Sequence, residues 1–451
     1  MFDERTFAEE RQNTLSDEDL LKVLDSLVEF EKKWNCHFSS FALSGGDPLS
    51  RPGWDRIVSA LREKGKLVGM LGNPEQLSSE NIKLLKSVGL SKYQMSLDGL
   101  EEDHDKFRSK GSFQRTIKKI SELEESGIPC QIMFTLYPEN EEHLFPLIKF
   151  LSENTPLSFF SFDIGTSAGN AGNLRKDLDK AEIKEILEKY LLEKERLIKT
   201  NKKLFLKEKS HFFSLYRLKS NPDDDKTFSE IPIIDGCIAA WHSVAILSDG
   251  RLMACRRMPV TVGKMPEKSF EELFLGDPFF KKLRRRSSYE GCCECTHYKY
   301  CRGCPAYSDG ERGNPFAENP LCFKEMLSDN HKSDEIYNDP PMTTTFEEEY
   351  DYICSAFRFS HDYFHARLKA DPGLRLLFLQ LMDDQEKIKK FLENSTLFMK
   401  DNGFLIDGYD LLTLKYYLNR TLTDGLLNRE DTAERIKYFV DRLKLFHLRK
   451  G

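Results

Sequence analysis

Seven of the chain's eleven cysteines stand in one ordered array: Cys237, Cys255, Cys292, Cys295, Cys301, Cys304 and Cys322. Four of them crowd into CCECTHYKYCRGC, beside Cys293. Thiolates at such short, uneven spacings suit an iron–sulfur core or zinc. Each ligand must converge on a small inorganic centre, and a Gly- and Pro-rich backbone can bend around it. Zinc needs four ligands per site, and eight cysteines lie between 237 and 322, so counting leaves both metals open. Earlier in the chain come three polar turns, SGGDPL (44–49), LGNP (71–74) and SLDG (96–99). Gly45 and Gly46 let a ligand approach the backbone, exposed amides and carbonyls can grip its polar groups, and Asp47 can pair with an ammonium. Alone, each turn is an ordinary strand–helix connection. Correctly ordered in one sheet, they mean more than any one of them.

The elements that must position these residues alternate. LSDEDLLKVLDSLVEFEKKW (15–34) repeats apolar residues at helical spacing, with Ser16 as N-cap before an acidic first turn. Strands follow at HFSSFALSGG, KLVGMLGNP, KYQMSLDG, QIMFTLYP and FFSFDIGTSAGNAG, each separated from the next by a helical stretch. Repeated strand–turn–helix units predict a parallel sheet with helices outside, an α/β architecture whose chemistry sits at the C-terminal strand ends. The polar turns fall there. Residues 176–230 read as mostly charged helix. Residues 231–330 have poor periodicity and dense Gly and Pro, as expected of a fold held by metal. Residues 331–451 return to helical periodicity. The expected domains are therefore 1–230, 231–330 and 331–451.

At 451 residues the chain has room for two or three domains. A net charge of -7 argues against nucleic acid as partner. The one dense basic run, KKLRRR (281–286), reads as a solvated helix face, with a dock for an acidic peptide as the alternative. The charged start shows no signal peptide and no apolar run crosses a bilayer, so a cytoplasmic protein with reduced thiols is expected. Cys36, Cys130 and Cys354 sit singly in periodic segments and read as buried small hydrophobes. His242, beside Trp241, is expected to pack near the metal.

With SGGDPL, LGNP and SLDG followed by FRSKGSFQRTIKKISELEESGI and QIMFTLYPEN, the first part resembles a radical S-adenosylmethionine (radical SAM) enzyme, whose fold is a partial parallel (β/α) barrel. The resemblance assigns Gly45, Gly46 and Asp47 to the methionine amino group of S-adenosylmethionine, with Asp replacing the usual Glu. It assigns Asn73, Ser96 and Asp98 to the cofactor pocket, and places GTSAGNAG near the adenosine. The cysteine array resembles the SPASM domain of peptide-modifying members, through Gly250-RLMA-Cys255, Cys292-CE-Cys295 and Cys295-THYKY-Cys301. Cys301-RG-Cys304 is one residue shorter than the family pattern. Two auxiliary [4Fe–4S] clusters are implied, the first on Cys237, Cys255 and Cys304, the second on Cys292, Cys295, Cys301 and Cys322. The first then has an open iron, unless Cys293 completes it.

The family's Cys-x3-Cys-x2-Cys loop is missing, so Met1 is read as an internal methionine. Binding of S-adenosylmethionine and a third [4Fe–4S] cluster is expected only with that loop supplied, and the chain as written is expected to be inactive. The implied function is maturation of a ribosomally made precursor peptide, such as thioether or carbon–carbon cross-linking, with flavodoxin or ferredoxin as reductant. A sulfatase-maturase-like formylglycine-forming activity and a non-catalytic iron–sulfur peptide-binding pseudoenzyme are the alternatives. The segment KADPGLRLLFLQLMDDQEKIKKFLENSTLFMKDNGFLIDGYDLL faintly resembles the leader helices of some peptide precursors, with ordinary helical packing as the plainer reading.

Overall fold

The computed structural model describes residues 13–353 except 35, 37, 39, 167–177, 201, 218–235, 296 and 328–338, and beyond them 372–382, 385–393, 398–399, 401–402 and 414. Contacts divide the chain into two compact units, residues 1–36 with 40–356, and residues 37–39 with 357–451.

In the first unit six strands form one sheet in sequential order: β1 (Ser40–Leu43), β2 (Leu67–Leu71), β3 (Lys92–Ser96), β4 (Cys130–Leu136), β5 (Phe159–Ile164) and β6 (Phe205–Lys207). Every neighbouring pair is parallel. Between them run α1 (Asp17–Trp34), which precedes β1, then α2 (Trp54–Glu63), α3 (Ser79–Ser87), α4 (Glu101–Phe107), α5 (Ser112–Ser126), α6 (Leu144–Asn154) and α7 (Lys180–Lys199). Local chemistry sets these boundaries. Ser16 Oγ accepts from the Asp19 amide at 3.1 Å to open α1, and Ser78 Oγ accepts from the Asn81 amide at 3.1 Å to open α3. Gly127 ends α5 at φ +83°, where a side chain would be strained.

Alternation along the strands sorts side chains onto two faces. Tyr93, Met95, Ile132, Phe134, Phe160 and Phe162 are buried on one face, and each such burial stabilises by roughly 1.5–3 kcal/mol. The other face is mixed, setting a polar chain beside the buried Met133 and Phe159. Lys92 Nζ donates to Gln131 Oε1 at 3.0 Å, and Gln131 Nε2 donates to Ser161 Oγ at 2.9 Å across three adjacent strands. A parallel sheet covered on both sides is normally apolar on both. A polar chain on the inner face marks a lumen that takes something in.

The expected strands are all present, and β6 is additional. It lies within the stretch read as charged helix, and three residues are too few to show an alternation. The GTSAGNAG tail lies outside the described residues from position 167 onward.

The cysteine-rich segment has more regular structure than its periodicity suggested. A small antiparallel sheet joins β7 (Ala245–Ile246), β8 (Arg251–Met253) and β9 (Thr261–Lys264). After it come α8 (Pro278–Arg284), capped by Asp277, and α9 (Pro305–Arg312), which starts directly after Cys304. The KKLRRR run is not a solvated face. Lys281, Arg284, Arg285 and Arg286 are buried, because the ammonium and guanidiniums satisfy carbonyls of the surrounding loops. Helix α1 packs here too, with Phe30 edge-on to Phe270 at 5.0 Å and to Phe274 at 6.0 Å.

In the second unit α10 (Pro372–Met382) and α11 (Gln385–Glu393) agree with the helical reading. Residues 354–371, Cys354 among them, and the segment from 415 onward lie outside the described residues. No helix among the described residues is long and apolar enough to cross a membrane.

Candidate functional site

The polar turns gather at the C-terminal edge of the sheet. Asp47, just past β1, accepts from its own turn at Leu49 N (2.9 Å) and from Asn73 N beyond β2 (2.7 Å). Burial nevertheless lifts its carboxyl above the ordinary value, against those two amide bonds. The carboxylate therefore ties two turns together, while Gly45, at φ +149° with open space where a Cβ would stand, leaves backbone exposed to a ligand. Gly72 is required for packing, since a Cβ there would lie 2.2 Å from the Tyr93 hydroxyl.

Ser96 is half-buried at the end of β3, on the lumen face. Asp98 is placed differently. Its carboxylate is fully buried, accepting from Arg108 Nε at 2.7 Å and from Thr135 N at 3.2 Å. Asn140 Nδ2 donates to its carbonyl at 3.3 Å. So Asp47 and Asn73 come together, while the Asp98 side chain is taken up by the β3–β4 connection.

The seven arrayed thiols fall into two sets that feel each other's charge. Cys237, Cys255 and Cys304 form one, gathered around Arg257. Cys292, Cys295, Cys301 and Cys322 form the other. Burial first, and then the neighbouring sulfurs Cys295 and Cys322, push the Cys292 thiol up to about 12. Burial likewise pushes Cys304 up to about 12, with Arg257 opposing it. Cys293 belongs to neither set among the described interactions.

Local backbone partly offsets that cost of burial. Amides of Ala239, Gly303 and Lys324 donate to the thiols of Cys237, Cys301 and Cys322, each two residues on, and the Tyr307 amide donates to Cys304. The Arg257 amide lies 3.5 Å from Cys255 Sγ. Such bonds favour a thiolate over a thiol. Between Cys301 and Cys304 both Arg302 (φ 56°) and Gly303 (φ 65°) are left-handed, which lets four residues turn back on one centre. Gly250 cannot be replaced without strain, since at φ +89° its Cβ would stand 2.1 Å from the Met265 carbonyl.

The buried arginines hold these loops. Arg284 Nε donates to the Ala240 carbonyl at 2.7 Å, near Cys237. Arg286 donates to the carbonyls of Cys293 (2.6 Å) and Cys295 (3.2 Å). Glu349 neutralises Arg284 and Arg285 at 3.0 and 2.5 Å.

Sequence reasoning missed a group of charges at the sheet's C-terminal edge. Arg257 joins the first thiol set to β5: its guanidinium lies 3.2 Å from Asp163, donates to the Ile164 carbonyl at 3.0 Å and reaches Cys304 Sγ at 3.6 Å. Lys209 and His211 follow β6 and lie within charge range of Asp163 and Arg257. Only the strand register could have revealed them, and β6 was not legible. His242 reaches the surface beside buried Trp241, yet the surrounding protein still pulls its imidazole down to about 3, with Arg302 adding to the shift. Cys130 is buried, as expected, and Cys36 is half-buried.

The residues fit an iron–sulfur core. Cys292, Cys295, Cys301 and Cys322 line one small recess whose walls include Phe212 and Leu215. Among the described residues no three His, Cys, Asp or Glu side chains are gathered for a single metal ion. The recess also receives two buried donors without hydrogen-bond partners among the described residues, Tyr298 Oη and Asn319 Nδ2.

A six-stranded parallel sheet with helices around it, followed by a cysteine-rich segment, is a mixed α/β fold of the radical SAM type. Residues 3–151 match the radical SAM superfamily model and residues 237–305 match the SPASM iron–sulfur cluster-binding domain model. The chain therefore carries a radical SAM domain and a SPASM domain. It is similar to an AdoMet-dependent heme synthase of Methanosarcina barkeri, 27% identical over 289 residues that cover 62% of this chain and 81% of that protein. The antilisterial bacteriocin subtilosin biosynthesis protein AlbA of Bacillus subtilis is 23% identical over 333 residues, covering 67% of this chain and 66% of AlbA. Among solved structures, Streptococcus suis SuiB bound to S-adenosylmethionine superposes at a TM-score of 0.53 with 19% identity, over 68% of this chain and 70% of SuiB.

Proposed function

We propose that this chain belongs to a peptide-modifying oxidoreductase of the radical SAM/SPASM kind, acting on a ribosomally made precursor once the Cys-x3-Cys-x2-Cys loop that it lacks is supplied. When bound, S-adenosylmethionine and its iron–sulfur cluster supply a carbon radical that removes a hydrogen atom from the substrate. Gly45 and Gly46 offer backbone groups to the cofactor's polar end, with Asn73 and Ser96 on the same edge. Asp47 keeps that edge in shape by bridging the first two turns, and Asp98 does so at the next connection. Cys237, Cys255 and Cys304 hold one auxiliary [4Fe–4S] cluster, and Cys292, Cys295, Cys301 and Cys322 hold another. A small electron-transfer protein such as flavodoxin or ferredoxin serves as reductant. The domains are 1–230, 231–330 and 331–451.

The observation that carries this reading is Arg257. It reaches both the first thiol set and the end of β5, so an auxiliary cluster stands beside the mouth where a substrate enters. Peptides enter through the comparisons: AlbA serves bacteriocin biosynthesis, and SuiB has been captured with its precursor peptide SuiA. A second reading, action on a tetrapyrrole, is favoured by the heme synthase relative. Anaerobic reconstitution followed by iron and sulfide counting tests the cluster assignment, where two [4Fe–4S] sites give about eight irons per chain. Tightly bound zinc would overturn it. Co-expression of the chain, with that loop supplied, and a neighbouring precursor-peptide gene, read by mass spectrometry of the peptide, tests the substrate class; an unmodified peptide alongside an altered tetrapyrrole would replace this reading with the second.

A further inference from the structure

The inner face of the sheet carries ammonium groups from floor to mouth. Lys92 opens β3, Lys207 closes β6, and Lys209 stands two residues further towards the mouth. Lys92 and Lys207 both donate to the amide oxygen of Gln131, at 3.0 and 3.4 Å. Lys209 Nζ faces the Met133 sulfur at 3.4 Å, a poor acceptor for a cation. Among the described residues neither Lys92 nor Lys209 has a carboxylate within ion-pair distance. Asp163, the acid on this wall, is already paired with Arg257 at 3.2 Å and accepts from the Ile164 amide at 3.0 Å.

A second observation points to the same place. Nε2 of His211 is buried and has no hydrogen-bond partner among the described residues. His211 and Lys209 share Asp163 and Arg257 as electrostatic neighbours, so the unmet imidazole nitrogen and the under-partnered ammonium belong to one corner of the mouth. The surrounding protein drives the Lys209 ammonium down to about 8 and the imidazole down to about 3, with Asp163 opposing both shifts and Arg257 adding to them. The Lys209 side chain is exposed at the mouth and so open to a ligand, while its acidic neighbour Asp163 is already engaged by Arg257.

We propose that this corner binds a carboxylate of the substrate, with Lys209 as the charged contact, His211 as a neutral hydrogen-bonding partner and Arg257 closing the side nearest the first thiol set. The inference rests on the peptide reading and narrows it: the residue drawn to the mouth is acidic, a Glu or Asp side chain or a free C-terminus. The deeper Lys92 and Lys207 extend the positive potential down the lumen and draw the acid in.

The test uses the full chain and two fluorescent peptides, one of alternating Glu and Gly and one of alternating Gln and Gly. Anisotropy is read at fixed ionic strength. Dialysis against coproporphyrin III and its tetramethyl ester, and against S-adenosylmethionine, runs in parallel. The Glu peptide should bind and the Gln peptide should not. Lys209→Met should weaken the Glu peptide about tenfold or more, as expected for loss of a charged hydrogen bond, and Lys209→Arg should restore it. His211→Leu should weaken it less, and S-adenosylmethionine retention should be the same in all variants. Equal binding of both peptides, or no effect of Lys209→Met, overturns the carboxylate site and leaves the peptide reading standing. Lys209-dependent binding of coproporphyrin III but not its ester, with no peptide bound, overturns the peptide reading and keeps the carboxylate site. Loss of S-adenosylmethionine in Lys209→Met would assign the lysine to the cofactor's own carboxylate and overturn the proposal.

Discussion

Replacing Glu349 by Gln should destabilise the thiol-bearing segment, although residue 349 lies well outside the cysteine array. Its carboxylate is wholly inaccessible, as is the Arg284 side chain, and Arg285 is only 2% exposed. Oε1 accepts from Arg284 Nη1 at 3.0 Å and Arg285 Nη1 at 3.1 Å, while Oε2 accepts from Arg285 Nη2 at 2.5 Å and Thr344 Oγ1 at 2.8 Å. Gln keeps the shape but removes the charge and turns one acceptor into a donor facing a guanidinium. Removing one member of a buried pair costs roughly 3–5 kcal/mol, because the remaining charges stay desolvated. Total stabilities are only about 5–15 kcal/mol, so the melting temperature should fall by roughly 5–10 °C.

Burial works to raise the Glu349 carboxyl, but Arg285, Arg284 and Thr344 outweigh it and hold it below its ordinary value. Burial meanwhile pulls Arg284 down to about 10, so both partners stay charged at neutral pH. A depressed carboxyl stabilises above its unfolded value and loses that contribution as pH falls through the folded one. The wild type should therefore lose stability in acid below about pH 4.5, and Glu349→Gln should lack that component. Circular dichroism melts of the apoprotein, with thiol accessibility measured by a colorimetric disulfide reagent, provide the assay. A variant melting within about 1 kcal/mol of wild type, with its thiols equally protected, would refute the reasoning, because it would mean the triad is dispensable.

Three further outcomes follow from the same geometry. Gly250→Ala should destabilise by roughly 1–3 kcal/mol and lower iron uptake, since its Cβ would meet the Met265 carbonyl at φ +89°; denaturant melts and iron counts check this. Cys304→Ser and Cys322→Ser should each leave about half the iron, in different sets, so the double variant should retain almost none. An equal loss of all iron in either single variant would show one shared centre. With desolvation by the surrounding protein as the main cause, and with Asp163 opposing Arg256, Arg257 and Lys92 around it, Lys209 should be labelled by amine reagents ahead of other surface lysines near pH 8; peptide mass mapping reads this directly.

The barrel wall was legible because each unit is long enough for its period to show. KLVGML and QIMFTL are apolar runs bounded by turns, and the intervening helices repeat at 3.6. β6 was not legible, since FLK offers three residues and no alternation. The thiols were legible as types and spacings, but the frame around them was not. KKLRRR has the composition of a surface, and only tertiary contacts with Ala240, Cys293, Cys295 and Glu349 reveal it as interior. Asp98 shows the same limit at a turn. SLDG marks an Asp at a strand end, while the partner that takes up its carboxylate, Arg108, comes from the end of α4.

The placement of Glu349 also has a consequence for how the chain is made. On a nascent polypeptide all seven arrayed thiols emerge before the acid that neutralises Arg284 and Arg285. Cys304 completes the first set before Cys322 completes the second, even though the first set begins earliest and encloses part of the other. During synthesis the loops therefore pass through an interval with every sulfur available and the arginines without their counter-charge. Metal that arrives in that interval meets open loops, and metal that arrives later must enter a closed frame.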